Sequence, residues 1–178
     1  MESRKRWRNL LLFCLGLTIG TAFIMGWLEG DFWVNDERFS ILGLELFYSK
    51  REVLTVLNQI KQPARIALTY HLTFDYILMA GFYPGIASFC MLVREKVSRK
   101  PYQTTLFALA ILQPVACIFD IVVNSYLLKW VEQPAIGDEF SVYHNMVFIK
   151  WLIALAGILI ASAALLIGNK GPKKSRGA

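Results

Sequence analysis

The side chains able to do chemistry here are the ionisable and amide groups set inside apolar stretches. His71 and Asp75 stand four positions apart, as do Asp120 and Asn124, and Lys150 lies near the start of a later apolar run. Positions i and i+4 share a helix face, so each pair presents a carboxylate with a second polar group beside it. Two such faces and one ammonium read as a converging polar cluster. Two carboxylates beside one Lys leave a net negative charge, a setting for acid–base work or for holding a polar headgroup. The same residues also fit a structural role, with Lys150 paired to Asp75 or Asp120 to fix helix register. Lys150 would alternatively snorkel outward with no partner. Glu45, the single carboxylate in the apolar run from Ile41 to Tyr48, is either solvated or turned inward.

Other chemistries find less support. His71 with Asp75 could begin a metal site, but a second His within the apolar spans is missing and His144 sits at a boundary. A closed site needs more nitrogen or sulfur ligands, so no metal and no cofactor are expected. Cys14, Cys90 and Cys117 form no CxxC pair and read as small packing residues. Phosphate loops, nucleophile elbows and HExxH are absent, so the sequence leans away from an enzyme. No second copy of the His71–Asp75 pattern supports an inverted-repeat transporter.

These residues must be positioned by membrane-spanning helices. Of the 178 residues, 56% are hydrophobic, and the mean hydropathy is +0.45. Soluble domains run at about 45–50% apolar. Charges fall in clusters between apolar blocks, which therefore have no polar outer face to offer water. Spans are expected at 10–28, 66–93, 102–130 and 146–168. A signal peptide is the competing reading of the first, but that run is longer than the usual apolar core of about 7–15 residues and ends in Gly26-Trp27-Leu28-Glu29 rather than a cleavage site. Gly16 and Gly20 offer a GxxxG face for close helix contact. An Asp within a span costs about 2.5–3.5 kcal/mol, so Asp75 should face other helices.

Residues 29–65 form an insert between spans one and two. Ser49-Lys50-Arg51-Glu52 reads as a capping box. Val53, Leu57 and Ile60 follow at helical spacing, so a short amphipathic helix is expected, either lying in the membrane interface or closing over the end of the bundle. The fold class is thus all-α: a four-helix transmembrane bundle, one membrane domain over 1–178, with a short amphipathic helical insert.

The net charge of +6 resides in Arg4-Lys5-Arg6-Arg8, Arg94-Lys96-Arg99-Lys100 and Lys170-Lys173-Lys174-Arg176, all flanking spans. This assigns them to topology and lipid headgroups rather than to nucleic acid. The positive-inside rule then puts both termini and the 94–100 loop in the cytoplasm. The polar cluster falls in the opposite, outer half of the bilayer, with Tyr70, Tyr76, Tyr126, Tyr143 and His144 close in depth.

Three stretches also carry a resemblance. Ile41-Leu42-Gly43-Leu44-Glu45-Leu46 ahead of the capped helix, Phe74-Asp75-Tyr76-Ile77-Leu78 with Tyr83, and Asp120-Ile121-Val122-Val123-Asn124 resemble a group of uncharacterised four-helix bacterial integral membrane proteins. Those carry Phe-Glu before a capped helix, Leu-Asp-Phe-x-Phe opening span two and Asp-x-x-Glu-Asn in span three. The resemblance runs from Ile41 to Leu128, and Val123 stands where the pattern has Glu. It implies the fold and marks Glu45, Asp75, Asp120 and Asn124; it implies no activity. Tyr83 is counted with the polar cluster, and a bacterial inner membrane is the expected location. The expected functions are binding of a lipid or other amphiphile at the cluster, or service as an accessory subunit packed against a membrane-protein partner or a second copy.

Overall fold

The computed structural model describes residues 2–168. The basic stretch Lys170-Lys173-Lys174-Arg176 lies outside the described residues. Four helices are long and apolar enough to cross a membrane, the makeup of a multi-pass integral membrane protein. They are α1 (Glu2–Leu28), α3 (Gln62–Arg94), α4 (Lys100–Glu132) and α5 (Glu139–Gly168), with the short α2 (Lys50–Gln59) in the insert. Helices α3, α4 and α5 pack in sequence, and α1 lies chiefly against α3.

The α1–α3 seam is antiparallel and tied along its length. At one end the Ser3 hydroxyl donates to Glu95 (2.9 Å), and at the other His71 meets Glu29 (3.2 Å). Midway, α3 approaches so closely at Gly81 that a Cβ there would sit 2.8 Å from the Thr18 hydroxyl and 3.0 Å from the Cys14 carbonyl oxygen. The close approach expected from Gly16 and Gly20 is not used: both are exposed, with nothing within 4 Å of where a Cβ would lie. The contact belongs to Gly81 and Gly85 because α1 turns its Cys14, Thr18 and Thr21 face toward α3.

Helices α3 and α4 are each 33 residues long. That is about 50 Å of helix, against a hydrocarbon layer of about 30 Å. Arg94, Lys96, Arg99 and Lys100 gather at one end of this pair, and the insert wraps the other. After a 3-10 turn at Glu29–Asp31, the insert forms a two-residue hairpin, β1 (Trp33–Val34) with β2 (Glu37–Arg38). Its turn residues Asn35 and Asp36 have φ of 49° and 65°, the mirror-image turn that matches strand twist. Phe32 and Phe39 flank the hairpin, stacked at 4.8 Å and buried.

A single wide π-type turn, Gly43–Phe47, then carries Leu44 and Glu45 inward. Helix α2 starts with both halves of its capping box formed, Ser49 receiving the Glu52 N–H and Glu52 receiving the Ser49 N–H. Val53 and Leu57 are fully buried, so the insert closes over the bundle end. Arg65 seals that closure, donating to the Leu57 carbonyl (2.9 Å) and to that of Val131.

Candidate functional site

The buried apolar residues form two clusters. One lies under the insert and includes Phe32, Leu44, Leu57, Trp130 and Tyr143. The other lies toward the basic end and includes Met79, Tyr83, Cys90, Leu106 and Ala161. A polar layer separates them along α4 and α5, since Val123 and Val147 belong to the first cluster and Ala116 and Ala154 to the second. In this layer stand Asp120 and Lys150.

Lys150, only 3% exposed, is the centre. Its ammonium pairs with Asp120 and with Glu45 (2.9 Å). The other Asp120 oxygen accepts from the Tyr83 hydroxyl (2.8 Å), and Glu45 also accepts from the Trp151 indole N–H (3.2 Å). Tyr143 braces the π-type turn by donating to the Leu44 carbonyl (3.1 Å). A buried ion pair repays its desolvation only when its remaining lone pairs and protons are also bonded, and Tyr83 and Trp151 supply that here. Lys150 thus has neither a single Asp partner nor a snorkelling position: it is clamped between α4 and the insert.

Asp75 takes part in none of these bonds. It stands on α3 within the electrostatic reach of Asp120, Glu45 and Lys150, and unlike them it is partly exposed. Asp75, Asp120 and Lys150 lie about 27–30 Å along their helices from the basic end, which is the thickness of the hydrocarbon layer. The insert lies directly over the cluster, with Glu45 reaching down to Lys150.

His71 and Asn124 sit apart from this group. His71, 1% exposed, points to the turn that follows α1, where its Nε2 meets Glu29 and its ring tilts against Phe32 at 5.4 Å. Nδ1 of His71 and Oδ1 of Asn124 are buried without a partner among the described residues. Asn124 uses its amide N–H on the Leu72 carbonyl (2.6 Å), fastening α4 to α3. One helical face thus divides: four positions are a 40° rotation, enough to send His71 to the turn after α1 while Asp75 turns toward α5.

Glu29, Trp151 and Arg65 were not singled out from the sequence as site residues, and Tyr143 was placed only by its depth. Glu29 sits at the end of an apolar span and reads there as a boundary residue. The pattern of a charged residue at a span edge is common, and only the register of α1 on α3 brings it to His71.

No group of three or more His, Cys, Asp or Glu is placed to hold a metal ion among the described residues. Set against protein-family models, curated proteins and solved structures, the chain matches none.

Proposed function

We propose that this multi-pass membrane protein holds the headgroup of an amphiphile at Asp75, at the insert end of the bundle. The observation that carries the reading is the contrast within the cluster. Lys150 is consumed by Glu45 and Asp120, which leaves Asp75 as a partly exposed carboxylate with no bonded partner among the described residues and an acidic neighbourhood. Such a group attracts a cation or a strong hydrogen-bond donor, so the headgroup is an amine rather than a phosphate. Both termini and the 94–100 loop face the cytoplasm of a bacterial cell in this reading, and the insert lies outside.

The test is a thermal melt of the purified protein in a neutral detergent with a long-chain alkylamine, an alkyl sulfate or an alkyl alcohol added. The amine is expected to raise the melting temperature of the wild type and to leave Asp75→Asn unmoved. A wild-type response equal for all three additives, or an amine response retained in Asp75→Asn, contradicts the reading.

A second reading is an accessory subunit, favoured by α1. Its Gly16 and Gly20 stand open on the side away from α3, where a foreign helix or a second copy can approach closely. A stoichiometric partner or dimer retained in mild detergent and lost in Gly16→Leu would favour it.

A further inference from the structure

We infer that the basic end of the α1–α3 seam binds a phospholipid with an anionic headgroup, drawn from the leaflet on the N-terminal side. A cavity of about 630 Å³ opens there, lined by Arg4, Lys5 and Arg8 of α1 and by Lys96 just past α3, with Leu92 among its walls. Glu2 also lines it but is held by Arg6 at 2.6 Å, and Glu95 nearby accepts the Ser3 hydroxyl. Arg6 neutralises Glu2, Glu95 keeps its charge, and the four cations of the lining leave the cavity positive.

One turn deeper along the same two helices, the chemistry changes. Leu11 and Leu15 follow Arg8 on α1, and Phe89 precedes Leu92 on α3; together with Ile158 of α5 they line an apolar groove of about 330 Å³. Gly81 and Gly85 lie in this groove, where the two backbones come together. A cationic pocket at the end of the seam, followed one turn along the same two helices by an apolar groove, has the charge order of one phospholipid. The site rests on different residues from Asp75 and prefers the opposite headgroup charge.

In the experiment, the full chain purified in mild detergent receives equal amounts of phosphatidylglycerol and phosphatidylcholine of one chain length, and native mass spectrometry counts the lipid retained. The expected result is a preference for phosphatidylglycerol of about tenfold, which is about 1.4 kcal/mol. Arg8→Gln combined with Lys96→Gln removes the preference. Leu15→Trp, which fills the groove and leaves every charge in place, lowers retention of both lipids. Equal retention by the wild type overturns the proposal, as does a preference that survives the paired Gln variant. Displacement of phosphatidylglycerol by inorganic phosphate at the same concentration assigns the pocket to a free anion and also overturns it. If the charge variant fails to insert, Leu15→Trp decides, and unchanged retention in that variant is the contradicting result. Asp75→Asn leaves this preference intact, so the two sites are tested separately.

Discussion

Glu45 and Asp120 would face each other inside the bundle if Lys150 were not between them. Lys150→Met leaves these two carboxylates uncompensated and is expected to destabilise by about 3–5 kcal/mol, the cost of breaking a buried pair from one side. Denaturant unfolding in detergent measures it. Adding Glu45→Gln and Asp120→Asn to Lys150→Met should recover part of that loss, because amides carry no charge to strand. Asp75→Asn, which removes no bond, should unfold at nearly the wild-type midpoint. Half of this arrangement was legible in the sequence. An Asp and a Lys inside apolar runs demand partners, and matching depth set Lys150 beside Asp75 or Asp120, of which the fold pairs it with Asp120. Glu45 was harder, because its inward turn depends on the wide turn at Gly43–Phe47, and a π-type turn has no residue pattern of its own. His71 was grouped with Asp75 by i,i+4 spacing, but helix faces are divided among neighbours, and the sequence does not say which neighbour stands where.

Helix α2 tests the account at the level of elements. Ser49→Ala removes the side-chain acceptor for the Glu52 N–H and should cost about 1 kcal/mol. The Ser49 hydroxyl and then its backbone N–H hold the Glu52 carboxyl below the usual Glu range. The stability from this bond is therefore present above the ordinary Glu pKa and is lost as pH falls through the lowered one. A melt across acidic pH should show this sag in the wild type, and Glu52→Gln should remove its share. On the α1–α3 seam, Gly81→Leu must push the Thr18 side chain and Cys14 backbone away, at a cost of about 1–3 kcal/mol. Gly16→Leu, facing open space, should leave the monomer's stability unchanged. The capping box was readable because its residue types and spacing are specific. The hairpin was not, since its turn uses Asn35-Asp36 without the glycine that usually announces it. Gly16 and Gly20 misled because small-residue spacing marks where helices can approach, and α1 offers another face.

The four spans follow from apolar runs separated by basic and acidic flanks, and the whole molecule keeps that plan. Hydropathy does not reveal that the insert folds over the ends of α3, α4 and α5, because the apolar residues buried beneath Phe32, Leu44 and Leu57 read in the sequence like those facing lipid. Single cysteines replacing Asp36 and Gly137 should accordingly react with an impermeant maleimide from one side of the membrane, and one replacing Ser98 only from the other. The claim on which the rest depends is that the ion layer beneath the insert is sealed around Lys150 and open at Asp75. The most direct measurement compares Asp75→Cys with Tyr83→Cys, each made in a chain freed of Cys14, Cys90 and Cys117. A water-soluble maleimide should modify the cysteine at position 75 in the folded protein and spare the one at position 83 until the protein is unfolded. Equal protection of both positions would mean that Asp75 is packed as tightly as Tyr83 and has no room for a ligand, which would contradict the account.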